Sequence, residues 1–429
     1  MHLGIKNRMQ SELLRNSARL LSANVIAQAL GILVYPILTR LYSPEDFGLL
    51  NLFMSIGGVL VLLATLEWYN AIVLPQKEIE ARAMVHLCFI SIGVLTVILL
   101  ITIPFSGYIA QLFKSPRLTQ FYWLMPLYVL LMSLWNVLNY WYIRNKAYNR
   151  ISGYQISQSL FSAGYKAGFG VLGWTSGGLI WGSVLSPLCS LILSLSLSAK
   201  MFLRQLLVWD WRACKETARK YSNFPKYATP RVLLNNIVGQ LPVFVLTPLF
   251  GSRLIGFWGM ALMLAFVPVS TVSRALYQVF YQNTTERVNA GESIAPFYRK
   301  FTVWSLGVIV PAFILLWFVL PALTAWLLGD EWSVTGEYIR WMLPWLACSI
   351  LCGSTGYLVD IFFKQKTGLL FEILQAVSRI VGVGIGIAMN SFEIAICGYA
   401  VGSAVVNAAQ YIWYLSLIQT YEKGIENAH

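Results

Sequence analysis

Twelve apolar stretches of about 20 residues divide the chain, at approximately 20–38, 47–67, 83–103, 121–142, 154–173, 178–198, 232–250, 256–278, 302–323, 341–360, 368–388 and 393–418. At about 1.5 Å per residue, each is long enough as a helix to cross about 30 Å of hydrocarbon, where every backbone N–H and C=O must be satisfied internally. Hydrophobic residues make up 57% of the chain and charged residues 11%, with a mean hydropathy of +0.64, so the expected fold is an all-α polytopic membrane protein. The start, MHLGIKNRMQSELLRNSAR, is basic and polar and runs straight into a long apolar stretch. A cleaved leader would have a shorter run and a small-residue cleavage site, so the first stretch is expected to remain as a span.

The net charge of +13 would point to nucleic acid in a soluble protein, but here the charges are sorted by side of the membrane. With both termini in the cytoplasm, cytoplasmic segments hold 23 of the 31 Lys and Arg residues, external loops hold five, and three lie inside spans. That asymmetry supports the span count and the orientation together, and no nucleic-acid partner is expected.

One span is written twice. Arg19-x4-Asn24-x3-Gln28-x7-Pro36 recurs as Arg231-x4-Asn236-x3-Gln240-x7-Pro248, and Phe47-Gly48 has a counterpart in Ile255-Gly256. Duplication of a six-span half accounts for this, giving an N-terminal lobe at 1–199, a basic cytoplasmic linker at 200–231 and a C-terminal lobe at 232–429. Asn24 and Gln28, like Asn236 and Gln240, lie one helical turn apart, so each pair presents a polar face that suits water or another helix rather than lipid. Within the linker, Leu206, Leu207, Val208, Trp209 and Trp211 among eight cations suggest an amphipathic helix at the inner headgroup level, with a plain topology anchor the alternative of equal weight.

Catalysis by metal or thiol finds no pattern to stand on. The six cysteines form no CxxC pair, Cys348 and Cys352 share a helix face without a further ligand, and His2, His86 and His429 are scattered; no cofactor or metal is expected. The turn Leu41-Tyr42-Ser43-Pro44-Glu45-Asp46-Phe47-Gly48 reads as structural. Ser43 is placed to N-cap the second span, Pro44 suits the first helical position, and Asp46 completes a capping-box spacing.

Residues 38–48, LTRLYSPEDFG, followed by 63–75, LATLEWYNAIVLP, resemble the N-terminal signature of Wzx-type oligosaccharide flippases. These are the polysaccharide-transporter branch of the MOP superfamily, which also contains lipid II flippases and MATE multidrug exporters. The resemblance implies two pseudo-symmetric six-helix lobes around a central cavity, MATE-like, working by alternating access in the bacterial inner membrane. The implied cargo is an undecaprenyl-diphosphate-linked oligosaccharide repeat unit, of the kind that feeds O-antigen, capsule or exopolysaccharide, moved from the cytoplasmic to the periplasmic leaflet. Membrane lipids, a glycan polymerase and a chain-length regulator are the implied partners.

Ionisable residues inside spans each cost about 2.5–3.5 kcal/mol at a helix centre, so they mark function by default. The cations are Lys166, Arg274 and Arg379; Lys166 and Arg379 are 213 positions apart, against 212 for the repeated span. Gln155, Ser159, Ser162 and Lys166 form one polar stripe, and Glu372, Gln375 and Arg379 another. A diphosphate needs fixed cations and hydrogen-bond donors in a low-dielectric region, which Lys166, Arg379 and Arg274 supply, while Asn24, Gln28, Asn236 and Gln240 offer amides to a glycan. Against this stand the alternatives of Glu372 neutralising Arg379 within one helix, Arg274 snorkelling to the interface, and the four amides serving as interhelical glue. Glu67, Asp360 and Glu372 are the candidates for ion coupling, with interface anchoring the alternative for Glu67 and Asp360.

Two other functions compete. A cation-coupled drug exporter on the same fold would favour acidic groups in its cavity, and a membrane-bound glycan polymerase or ligase would need catalytic groups on a sizeable loop. Neither pattern is present, so a transporter rather than an enzyme is expected.

Overall fold

The computed structural model describes residues 25–175, 177–206 and 209–426, and among these every regular element is helical. In chain order they are α1 (Val25–Leu41), α2 (Pro44–Thr65), α3 (Glu78–Leu112), α4 (Arg117–Arg144), α5 (Tyr148–Val171) and α6 (Gly178–Leu206). A linker helix α7 (Trp211–Lys220) follows, then the pair α8 (Phe224–Gly239) and α9 (Pro242–Phe250), bent by 53°. The last five are α10 (Ser252–Asn289), α11 (Ala295–Leu328), α12 (Asp330–Ile361), α13 (Gln365–Ala388) and α14 (Phe392–Glu426). Counting α8 and α9 as one bent span and setting the linker helix aside, these helices correspond one for one to the twelve apolar stretches. Ten of them are long and apolar enough to cross a bilayer; α1 is shorter over its described residues, and α5 is diluted by its Gly, Ser and Gln.

Two compact units share the chain, one running to Gly256 and the other starting at Phe257. The bent pair α8–α9 clusters with the first unit, so the division falls within α10 rather than at the basic linker.

In the first unit the predicted cap is present. Ser43 accepts from the backbone N–H of Asp46, whose carboxylate accepts from the Ser43 N–H at 3.0 Å, with Pro44 at the first position of α2. Arg117, at the start of α4, donates to the same Asp46 carboxylate, and Tyr42 donates across to the Lys166 carbonyl at 2.6 Å. The core of this unit is made by α2, α3, α4 and α6, with Phe53, Met84, Met125, Val129 and Val184 fully buried.

The linker helix differs in position from the sequence reading. Leu206 ends α6, residues 207–208 lie outside the described residues, and the amphipathic turn-forming run starts only at Trp211, capped by Asp210. Its inner face, Cys214 and Thr217, packs on α3, where Trp209 stacks on His86 at 4.2 Å and Lys220 pairs with Glu80 at 2.7 Å. Of the predicted apolar run, Leu206 belongs to the end of α6 and Trp209 to the connection, and the short charged run from Trp211 makes the helix.

In the second unit, α10, α11, α12 and α14 enclose Ile294, Tyr298, Tyr357, Leu358, Tyr411 and Tyr414. The phenols are satisfied within the cluster: Thr284 bonds Tyr298 and Tyr357, and Thr302 bonds Tyr411 at 2.6 Å. Glu422 of α14 accepts from the N–H groups of Ile294 and Ala295 at 2.7 and 2.8 Å, capping α11 from a neighbouring helix.

Candidate functional site

Small residues bring α13 and α14 together. A Cβ on Gly382 would strike the Gly398 backbone, one on Gly386 would strike Ala395, and one on Gly402 would press on Ser378. That close approach sets Arg379 against α14, where its Nε donates to Ser403 Oγ at 3.1 Å. The guanidinium lies 5.0 Å from the ring centre of Tyr399 and 5.8 Å from that of Trp345. Glu372, two turns back on the same helix, is exposed and makes no ion pair among the described residues. The neutralisation of Arg379 within its own helix is therefore absent, and aromatic faces with one hydroxyl take its place.

On the other side, α10 carries a π-turn at Leu262–Phe266, followed by Pro268. Such a bulge re-aims the side chains beyond it. Phe266 stacks on Trp345 at 4.9 Å, and Ser270, Ser273, Arg274 and Tyr277 follow. These meet Arg379, Trp345, Ser349 and Asn407 around a cavity of about 480 Å³ inside the second unit. Arg274 is exposed in it and, among the described residues, has neither hydrogen bond nor ion pair. Asn407 donates to Ser349 Oγ at 3.0 Å. The cavity therefore joins two guanidinium groups, an amide, four hydroxyls (three serine, one phenol) and aromatic faces, with no carboxylate in its lining.

Lys166 lies in the first unit, on α5. Its stem packs against α6 at Gly182, where any Cβ would collide with it, and it makes no ion pair among the described residues. Gln155, on the same stripe, keeps a buried Oε1 without a partner. Gln28 lies half-buried in α1, and Asn24 lies outside the described residues. Gln240, at the bend between α8 and α9, accepts from Ser55 Oγ of α2 at 2.9 Å, an interhelical bond. Asn236, a turn earlier, has a buried Oδ1 with no partner.

The three carboxyls separate by environment. Asp360, near Tyr277, and Glu372 are exposed. Glu67 is 3% exposed, just past the end of α2, in a left-handed conformation (φ 58°). It accepts from Tyr69 Oη at 3.3 Å and from Asn70 Nδ2, and Tyr69 meets Tyr140 edge-on at 5.0 Å. Burial pushes its carboxyl above the usual range, while Tyr69, Asn70 and the charge of Arg231 pull the other way.

Sequence reasoning missed Trp345, Ser349, Tyr399, Ser403 and Asn407. Asn407 had a signal, an amide in the middle of an apolar span; the others are ordinary residues of transmembrane helices and declare themselves only through the neighbours they touch.

The family described as "Polysaccharide biosynthesis protein" matches residues 37–336. No curated protein sequence matches the chain. Among solved structures, an inward-facing multidrug resistance MATE family transporter of the MOP superfamily is similar at TM-score 0.69 and 16% identity, over 92% of this chain and 96% of that one. The Vibrio cholerae MATE transporter VcmN, as a mutant, gives TM-score 0.62 and 12% identity over 96% and 98%. A MATE protein in the bent conformation gives 0.58 and 12% over 96% of each. At such identities the likeness is one of fold, and it agrees with the resemblance carried by residues 38–75. The chain belongs to the polysaccharide biosynthesis protein family and has the helical fold of MATE-type transporters of the MOP superfamily.

Proposed function

We propose that this protein is a flippase for an undecaprenyl-diphosphate-linked oligosaccharide, carrying it from the cytoplasmic to the periplasmic leaflet of the bacterial inner membrane by alternating access. The observation that carries the reading is the carboxylate-free cavity lined by Arg274 and Arg379 in the second unit. A diphosphate has many acceptor oxygens and up to three charges, and guanidinium groups match it through paired N–H donors. Asn407, Ser270, Ser349 and the ring of Trp345 suit the hydroxyls and apolar faces of a sugar. Lys166 adds a cation in the first unit, and the distribution of Lys and Arg supports cytoplasmic termini. Glu67 serves as the proton-exchanging carboxyl, because burial already favours its neutral form. A polymerase and a chain-length regulator take the product on the far side. A cationic drug would find two like charges in the cavity and no acidic partner, which argues against the exporter alternative.

The test is complementation of a strain lacking its own flippase, scoring surface glycan and membrane-inserted protein together. Arg379→Ala and Arg274→Ala are expected to abolish display at normal insertion. Full display in both would remove the cavity from the mechanism.

A further inference from the structure

The second unit holds another cavity, of about 360 Å³, between α11 and α12. Its lining is apolar throughout, formed chiefly by Val310, Phe313, Ile314 and Phe318 on α11 and by Leu343 and Ala347 on α12. The two helices touch at Gly336, where a Cβ would collide with Leu320, Pro321 and Thr324. One turn further along α12, Arg340 lies over the ring of Trp317 at 5.4 Å, and beyond that level the helices part and the groove opens. Ile314 and Phe318 are 57% and 76% exposed, so the groove is open along its length.

Arg340 stands at the closed end of this groove with a buried Nε that has no partner, and among the described residues it forms no ion pair. Two backbone carbonyls at the same level also lack their usual helical donor. Pro344 cannot donate to the Arg340 carbonyl, nor Pro321 to that of Trp317. A cation with an unused N–H, next to free acceptors and above a hydrocarbon-lined slot, is complementary to an anionic headgroup with hydroxyls on an acyl chain.

We propose that this groove binds one anionic phospholipid, its acyl chain lying between α11 and α12 and its phosphate on Arg340. On the sidedness given above, this is a lipid of the outer leaflet. The site does not depend on the cargo cavity, since none of its lining residues is shared with that cavity.

The full chain, purified in detergent, is incubated with phosphatidylglycerol or phosphatidylcholine of identical acyl chains, and retained lipid is read by native mass spectrometry alongside the thermal unfolding midpoint. Wild type is expected to retain one phosphatidylglycerol in preference and to unfold at a higher temperature with it. Arg340→Gln should lose about tenfold in retention, Arg340→Lys should keep part of it, and Ala347→Phe should lose it by filling the slot while Arg340 remains. Equal retention of the two lipids, or retention undiminished in Ala347→Phe, overturns the proposal. So does displacement of the bound phospholipid by stoichiometric polyprenyl phosphate, which would assign the groove to the cargo's chain.

Discussion

Gly48 and Gly256 hold their helices at backbone contact: a Cβ on Gly48 would fall on the Ser252 carbonyl, and one on Gly256 would fall on the Pro44 carbonyl. The two glycines are counterparts in the repeat, so duplication has placed the same small residue on both sides of one crossing. Around it, Asn51 Nδ2 donates to the Ile255 carbonyl at 3.2 Å and Arg253 pairs with Glu45 at 3.5 Å.

Alanine at either glycine is therefore expected to destabilise the protein by about 1–3 kcal/mol, the range for overpacking a site whose obstacle is backbone and cannot rotate away. Gly58, in the same helix α2, has nothing within 4 Å of its Cβ position. Gly58→Ala should be neutral or stabilising by about 0.5–1 kcal/mol. Thermal unfolding of the three variants in one detergent checks the contrast, and equal behaviour of all three would dismiss the crossing as a constraint.

How far the sequence foretold this region follows from the kind of information each feature needs. The capping box of Ser43 and Asp46 is local in the chain and was legible from spacing. The equivalence of Gly48 and Gly256 was legible from the repeat, but equivalence does not say that two positions touch. The cavity of the second unit needed contacts between α10, α12, α13 and α14, and only its arginines stood out, because charge is costly in a span. Trp345 and Tyr399 are aromatic residues among many, and nothing in their spacing distinguishes a ring that faces a guanidinium from one that faces lipid.

Asp46 serves two structures at once, the capping box of α2 and the ion pair to Arg117, whose side chain is 42% exposed while that of Asp46 is 7% exposed. Removing the exposed partner leaves the carboxylate with its Ser43 donors, whereas removing the carboxylate takes away both the reciprocal half of the capping box and the ion pair, leaving only the Ser43 Oγ bond to the backbone. Asp46→Ala is expected to cost about 1–3 kcal/mol and Arg117→Ala about 0–1 kcal/mol. Added salt should narrow the Arg117 effect and leave most of the Asp46 effect in place. Thermal unfolding at low and high salt decides between a capping role and a surface ion pair.

Glu67 makes stability depend on pH in a defined direction. Its folded-state value lies above that of a free carboxyl, so between the two the folded protein binds more protons than the unfolded chain. Stability contributed by this group therefore declines as pH rises through that window and stays reduced above it. Glu67→Gln should raise the unfolding midpoint relative to wild type at about pH 8 and lose that advantage progressively as pH falls towards and below the ordinary carboxyl range of about 4. A gain independent of pH would show that packing, not charge, is at issue. If proton exchange at Glu67 drives transport, the same variant should insert normally and lose glycan display.

Arg379 tests whether the cavity needs a positive charge or a guanidinium. Its Nε bond to Ser403 and its contacts with Tyr399 and Trp345 depend on a planar, forked group, which lysine does not have. Arg379→Lys keeps the charge but forfeits the fixed fork and the planar stacking on the rings, which weakens cation–π contacts worth about 0.5–2 kcal/mol. Glycan display should fall well below wild type in Arg379→Lys at unchanged insertion, and vanish in Arg379→Gln. Ser403→Ala removes the one hydroxyl that orients the guanidinium while leaving its charge and both rings, so a partial loss is expected there. Wild-type display in the lysine variant would reduce the role of Arg379 to a point charge, and the aromatic cradle would then be packing alone.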